Sequence, residues 1–450
     1  MKRLILAGGV LSALLTWPFV QGQERRPGGS PAVYRTEVPV SELNVIAGAP
    51  TSSSVILSIL SRTSGSAEVS LTLPGGSVRT EKVKLEAEVP CPLLIEKLPP
   101  GTSVPYVLRQ GDQKVEGRFS TARKVGERFV FAIQADSHLD GNSDERVYER
   151  TLANVRADRP DFLVDLGDTF MVDKYPDPKD ALKQYRAQRY WFSRIGSELS
   201  VFLCLGNHDG EVGWPARDGE SSAIWAREQR EKFFPTIREN GFYSGAPTKG
   251  LYYAWVWGDA QFIVLDPFVA TTRKARTDED GWNWTLGETQ FKWFEEILKQ
   301  STSRFKFVFI HHLVGGFGKE ARGGVEASDR FEWGDHERFG QHRIGWAAPI
   351  HALMKRHEVT ALFHGHDHLY VRQERDGIVY LEVPQPSHRR GDQTSSAEEY
   401  GYKSGKILGS SGHIRVTVDP AKVTLEYVRS ESGDGNRRIA DSVDIPALAR

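Results

Sequence analysis

Carboxylate, imidazole and carboxamide side chains are grouped in five short segments spread over about half of the chain. The segments are Asp136-Ser137-His138, Gly167-Asp168, Gly206-Asn207-His208-Asp209, His311-His312 and Gly365-His366-Asp367-His368. Imidazole and carboxylate without thiolate form a ligand set that suits manganese, zinc or iron. Two such cations, about 3.5–4 Å apart, can clamp phosphoryl oxygens and acidify a shared water. The residue types therefore indicate a dinuclear hydrolytic site.

Each segment closely follows an apolar run that is predicted to be a strand. The runs cover residues 129–133, 162–166, 201–205, 305–310 and 359–363. In open α/β sheets the carboxyl ends of the strands converge on one crevice, where ligands bind. The five segments are therefore expected to meet in space.

Each segment taken alone has an ordinary explanation. Gly206-Asn207-His208-Asp209 has the composition of a polar turn, and Asp136 or Asp168 could cap a helix that follows a strand. The argument for a metal site depends on the occurrence of all five segments in this order.

The ordered set resembles the calcineurin-like metallophosphoesterase superfamily, whose pattern is D-x-H, G-D, G-N-H-D/E, H and G-H-x-H. The resemblance covers roughly residues 129–428 and implies two divalent or trivalent metal ions. By resemblance, the first ion is held by Asp136, His138, Asp168 and His368. The second is held by Asp168, Asn207, His311 and His366, so that Asp168 bridges the two ions.

The resemblance also implies the catalytic residues. His208 would contact the phosphate and protonate the leaving alkoxide, and Asp209 would orient His208. His311 is favoured over His312 as the ligand, because the family ligand is usually the first histidine after the strand. Further histidines at positions 336, 342, 351, 357, 388 and 413 are expected at the surface, and His364 is expected to be structural.

Candidate substrate contacts are His312, His388 and Arg389. The last two lie in a polar stretch, residues 387–391, that could place a guanidinium on a phosphate oxygen or be a solvated loop. Two insertions, residues 210–250 and 315–345, are predicted to be loops over the site. The leaving group, and with it the choice between phosphomonoesterase and phosphodiesterase, cannot be inferred from these residues.

The predicted fold class is α/β (α+β), with two domains. Short β-branched runs over residues 33–123 predict a β-sandwich of the immunoglobulin or fibronectin III type. Strands alternating with helices over residues 127–430 predict a four-layer α/β/β/α domain, and residues 431–450 are interpreted as a tail. The layout resembles that of purple acid phosphatases, but Met171 stands where those enzymes have a tyrosine, so no purple colour is expected.

Residues 1–22 combine a basic start with a short apolar stretch, which indicates a cleaved signal peptide and export to the periplasm or medium. A retained membrane anchor is the alternative, although Gly8, Gly9 and Pro18 interrupt the stretch. Residues 23–32 are predicted to be a linker, and no later stretch is apolar enough to span a membrane. The formal net charge of −1, with both signs interspersed, provides no basic face for nucleic acid.

The sequence therefore predicts an exported phosphoric ester hydrolase that acts on a small phosphorylated substrate. The expected reaction is direct attack of a metal-bridging hydroxide on phosphorus. Two alternatives are another metallohydrolase and a non-catalytic surface protein whose β-sandwich mediates binding.

Overall fold

The computed structural model describes residues 34–214, 220–275, 277, 279–315 and 322–448. The predicted signal peptide and linker lie outside these ranges, as does Arg217 of the first insertion. Among the helices within the ranges, none has the length and apolar composition needed to cross a membrane.

The N-terminal part is built from strands with short turns. Its strands are β1 Leu43–Gly48, β2 Val55–Ser61, β3 Gly65–Thr72, β4 Val78–Leu85, β5 Cys91–Ile95, β6 Ser103–Gln110 and β7 Gln113–Ser120. One layer has the order β4-β3-β6-β7, and β1, β2 and β5 pair in a second. Alternate residues such as Ala67, Val69 and Leu71 of β3 are buried in a core shared by both layers. This core is separate from the cores that surround the later strands.

The rest of the described chain contains two further strand sets and the helices. The strands are β8 Phe129–Gln134, β9 Phe162–Asp165, β10 Ser200–Leu203, β11 Ser244–Gly245, β12 Tyr253–Trp257, β13 Ala260–Val264, β14 Phe305–Phe309, β15 Ala361–His364, β16 Leu369–Arg375, β17 Ile378–Glu382, β18 Lys406–Gly409, β19 Gly412–Asp419, β20 Lys422–Arg429 and β21 Ile439–Pro446. The helices are α1 Glu145–Asp158, α2 Leu182–Gly196, α3 Glu220–Phe233, α4 Gly287–Gln300, α5 Gly324–Ala327, α6 Phe331–Gly334, α7 Phe339–His342, α8 Ile350–Arg356 and α9 Ser396–Glu399.

Two large sheets pack face to face. The first has the order β21-β20-β19-β8-β9-β10-β1-β2-β5, and the second has the order β11-β12-β13-β14-β15-β17-β16-β18. Aromatic rings fill the space between them: Phe131 of β8 lies 5.1 Å from Phe262 of β13, and Phe202 of β10 stacks on Trp255 of β12 at 4.2 Å. Burial of each such ring contributes about 1.5–3 kcal/mol. This aromatic layer holds the carboxyl ends of the central strands in register.

Successive side chains of a strand point to opposite faces of the sheet, so the residues next to these aromatic rings face the outer helices. Ile263, Val308 and Leu362 each neighbour an inward-facing aromatic residue and belong to a second core with residues of α4 and α8. Leu152 of α1 and Phe192 of α2 belong to the core that also contains the aromatic rings between the two sheets. The predicted four-layer α/β/β/α arrangement is confirmed.

The N-terminal layers and the central sheets are continuous. Strand β1 pairs in parallel with β10, with Ala47 opposite Ser200. Asp161 adds a polar connection, because Ser120, Arg123 and Trp257 all donate hydrogen bonds to its carboxylate. The two parts of the chain on either side of the predicted boundary near residue 123 therefore contribute strands to the same sheet.

Two elements differ from the sequence-based expectation. The predicted tail contains β21, which pairs antiparallel with β20 as an edge strand. Exposed and partly buried residues alternate along β21, so its sequence contains no apolar run that would predict a strand. The 210–250 insertion, predicted to be a loop, contains the helix α3.

Candidate metal centre

The predicted ligands meet at the carboxyl ends of the central strands. Within the described residues, the side chains form two groups whose ligand atoms lie within 4.8 Å of one another: Asp136, His138 and His368, and Asp168, His311 and His366. In the first group, Asp136 Oδ1 lies 3.6 Å from His138 Nε2 and 3.5 Å from His368 Nε2. In the second, His311 Nε2 lies 3.2 Å from Asp168 Oδ2.

Strained backbone positions several of these residues. Asp136, Asp168, His366 and His368 all have positive φ angles, of 58°, 55°, 88° and 57°. The left-handed region costs a non-glycine residue of order 1–3 kcal/mol, and such residues cluster at functional sites. The strained backbone therefore lowers the stability of the fold, and it directs these side chains toward one point.

Two glycines allow the loops after β9 and β10 to touch. A Cβ atom on Gly206 would lie 2.1 Å from the amide nitrogen of Asp168, and one on Gly167 would lie 2.2 Å from the amide nitrogen of Gly206. No side chain fits at either position. Steric exclusion of a side chain thus explains why glycine precedes both Asp168 and Asn207.

Unpartnered polar atoms show that the site fits cations. Asp136 Oδ1, His138 Nε2 and Asn207 Oδ1 are buried and have no hydrogen-bond partner. Such atoms are rare in native structures and require an explanation. All three are common ligands of divalent metals, so cations would satisfy them. Asp136, His138 and His368 would hold one ion, and Asn207, His311 and His366 the other, with Asp168 between them.

The charges of the site also favour cations. Burial alone would raise the pKa of Asp136, but the neighbouring imidazoles of His138 and His368 hold it well below its usual range. Burial would lower the pKa of His311, but the charge of Asp168 raises it to about 9. The two carboxylates thus attract positive charge. Metal ions would displace protons here, so metal affinity is expected to fall as the pH decreases.

His208 is held by a different carboxylate from the one expected. Its Nδ1 lies 2.9 Å from both carboxylate oxygens of Asp173. Asp209 instead accepts hydrogen bonds from the backbone amides of Gly206, Asp168, Thr169 and Phe170. The expectation that Asp209 orients His208 is wrong: Asp209 orients the two metal-site loops, and Asp173 orients the ring. The Asp173 position had no signal in the sequence beyond its place after Gly167-Asp168.

His311 and His312 have distinct surroundings. The Nδ1 of His311 donates to the backbone oxygen of Leu166 at 2.9 Å, which leaves Nε2 facing Asp168. His312 is also buried, but its Nδ1 accepts from the amide of Gly315, and its ring packs on His366 at 4.2 Å. His311 therefore belongs to the second group of candidate ligands, and His312 lies beside that group.

The other candidate substrate contacts lie on the side of the first group. His388 is partly buried, and the charge of His368 adds to burial in lowering its pKa. Arg389 is exposed and, with His388, lines a surface cavity that residues of α1 also line. In the two insertions, Trp333 is buried in the core that contains residues of α4 and α8, and Trp225 is partly buried against the core that contains residues of α1 and α2.

Three histidines outside the centre have buried acidic partners or aromatic neighbours. His364 Nδ1 lies 2.6 Å from Glu382, in agreement with a structural role. His351 and His413 are buried, contrary to the expected surface position. His351 lies between Tyr380 and Asp376, and His413 contacts Asp158 at 2.8 Å. Hydrogen bonds to these distant side chains satisfy the ring nitrogens inside the protein, and local sequence does not reveal such partners.

The sequence profile of calcineurin-like phosphoesterases matches residues 129–370, which is more than half of the chain. The protein belongs to this family. As a calcineurin-like phosphoesterase it is a metal-dependent hydrolase, and the family agrees with the two ligand groups in indicating a dinuclear centre. No curated protein matches the sequence significantly.

Solved structures agree with the fold of this phosphoesterase. PhoD superposes with a TM-score of 0.63 at 13% identity, with 87% of each chain covered. A purple acid phosphatase, PPD1 from yellow lupin (Lupinus luteus) seeds, superposes with a TM-score of 0.61 at 13% identity. That match covers 90% of this chain and 74% of the lupin chain. The N-terminal β layers and the catalytic layers therefore recur together in other proteins.

Proposed function

We propose that the chain is an exported hydrolase of small phosphoric esters, with the two ligand groups forming one dinuclear centre. The observation that carries this proposal is the convergence of Asp136 Oδ1, His138 Nε2 and Asn207 Oδ1, all buried and without partners, beside Asp168 and His311. When bound, two cations would neutralise phosphoryl charge and lower the pKa of water at the site.

The residues of the chain have separate tasks in this proposal. Asp209 holds the backbone of both metal-site loops, so that Asp168 and Asn207 keep their positions. His208, held by Asp173, donates a proton to the leaving oxygen. Its Nε2 lies 3.8 Å from Asp168 Oδ2, close to the expected bridging position. Proton donation by a positioned histidine typically contributes ~10²–10⁴-fold to the rate.

The test is hydrolysis of p-nitrophenyl phosphate and bis(p-nitrophenyl) phosphate by the purified chain with manganese, zinc or iron. Turnover of either ester supports the proposal, and the preferred ester distinguishes a phosphomonoesterase from a phosphodiesterase. His208→Ala should lower kcat about 100-fold or more while two metals stay bound. Absence of turnover with all three metals, when metal analysis finds no bound ions, would contradict the proposal and favour a non-catalytic binding protein.

The export part of the proposal rests on the basic and apolar pattern of residues 1–22. N-terminal sequencing of the protein recovered outside the cytoplasm should find a new terminus near Gly22. An uncleaved N-terminus in the membrane fraction would favour the retained anchor.

A further inference from the structure

His312 carries a buried hydrogen-bond donor that nothing in the protein satisfies. The side chain is 2% exposed, and the amide of Gly315 donates to Nδ1 at 2.7 Å. A ring nitrogen that accepts a hydrogen bond carries no proton, so the neutral ring has its hydrogen on Nε2. Nε2 is buried and has no partner. A donor in this position requires an acceptor that the chain does not supply.

The unpartnered donor lies at the second ligand group. The His312 ring packs edge to face on His366 at 4.2 Å, and on its other side it meets Trp284 at 5.8 Å. This packing leaves the ring little freedom to turn. The acceptor that it lacks would therefore be a group that enters the metal centre.

Arg322 places a positive charge at the segment that contains His366. Its guanidinium stacks on Tyr400 at 3.9 Å, and its Nε lies 3.0 Å from Asp367 Oδ1, between the predicted ligands His366 and His368. The side chain is 17% exposed. Asp367 directly follows His366, on which the His312 ring packs, so Arg322 and His312 flank the same segment.

We propose that His312 and Arg322 form an anion-binding edge of the metal centre, which holds a non-bridging oxygen of a phosphate group. A guanidinium and an imidazole N–H both donate to phosphate oxygens, and the guanidinium stays charged at every working pH. The edge would hold the phosphate of the substrate and the inorganic phosphate released from a monoester. This inference rests on the proposed function for its biological meaning, but phosphate binding can be measured without turnover.

A purely structural role for Arg322 makes a different prediction. If the guanidinium only neutralised Asp367, its loss would disturb the His366-Asp367-His368 segment and release metal. An anion-binding role predicts that the metals stay and that phosphate affinity falls. The two roles are separated by measuring metal content and phosphate affinity in the same variants.

The experiment is titration calorimetry of inorganic phosphate into the metal-loaded full chain. Arg322→Ala and His312→Phe should each weaken phosphate binding about 10- to 100-fold with two metals retained, the range for a lost hydrogen bond to a charged group. His312→Gln, which keeps a donor, should lose less than His312→Phe. Added guanidinium ion should restore part of the affinity of Arg322→Ala. Arg338→Ala is the matched control, because Arg338 is exposed and pairs with Asp335.

The inference is overturned if both variants bind phosphate within about twofold of the wild-type chain. If Arg322→Ala loses metal, His312→Phe decides: weaker binding with metals retained supports the edge, and unchanged binding overturns it. Failure of the proposed function has a different signature. The wild-type chain would then hydrolyse neither ester, while the phosphate titration would still report on the two residues.

Discussion

The contact between His208 and Asp173 predicts a specific kinetic defect. Asp173→Asn keeps an acceptor for the Nδ1 hydrogen but removes the negative charge. Both carboxylate oxygens lie 2.9 Å from Nδ1, and the Asp173 side chain is 47% exposed. Two unit charges about 4 Å apart interact by about 1 kcal/mol in water and about 4 kcal/mol at an effective dielectric constant of 20. Because solvent reaches this carboxylate, the value is expected near about 1–2 kcal/mol.

That energy corresponds to a fall in kcat of about 5- to 30-fold, at unchanged metal content. The assay is saturating hydrolysis of the preferred p-nitrophenyl ester, with metal analysis of each variant. Because the two side chains act as a unit, the double variant Asp173→Asn/His208→Ala should be no slower than His208→Ala alone. Asp180→Asn, a change at an exposed carboxylate in the same segment, is the control.

Two results would refute the reasoning about this pair. The first is a kcat for Asp173→Asn that stays within about twofold of the wild-type value, which is less than the interaction energy allows. The second is a double variant whose loss equals the product of the two single losses, because independent sites behave in that way.

The remaining predictions concern metal binding, folding and pH. Asp168→Ala should abolish binding of both metals together with activity, and retention of both by elemental analysis and assay would contradict the ligand assignment. Asp209→Ala leaves four backbone amides without an acceptor and should lower the free energy of unfolding by at least about 3 kcal/mol in urea titrations; a loss under about 1 kcal/mol would show that water replaces the carboxylate. Burial would raise the pKa of Asp158, but His413 and Arg415 lower it to about 2. Since this pKa is depressed in the fold, Asp158 contributes about 2 kcal/mol above pH ~4, and that stability is lost as the pH falls toward about 2. Asp158→Asn should remove this part of the acid dependence, and identical acid unfolding curves for the two proteins would contradict the assignment.

The strands that precede the five motifs could be predicted from local sequence. The apolar runs before each motif correspond to β8, β9, β10, β14 and β15, because a buried parallel strand needs a short, nearly continuous apolar run. The predicted ligands are close together because the carboxyl ends of these strands share one edge. Residue type and spacing were sufficient for this part.

Other features left no local signal. The exposed edge strand β21 has no apolar run, and the helix α3 lies in an insertion that was predicted to be a loop. The parallel pairing of β1 with β10 joins segments more than 150 residues apart. Such pairings depend on which surfaces remain uncovered once the central sheets have packed.

The types of the predicted ligands, their order and the strands that carry them thus follow from local sequence. Tertiary packing sets the contact of Asp173, rather than Asp209, with His208, and it sets the position of Arg322 against Asp367. The physical reason is the same in each case. Strand formation and turn chemistry depend on neighbours along the chain, whereas the partner of a charged side chain depends on where the fold leaves room and excludes water. In this protein those partners come from loops that the sheet brings together.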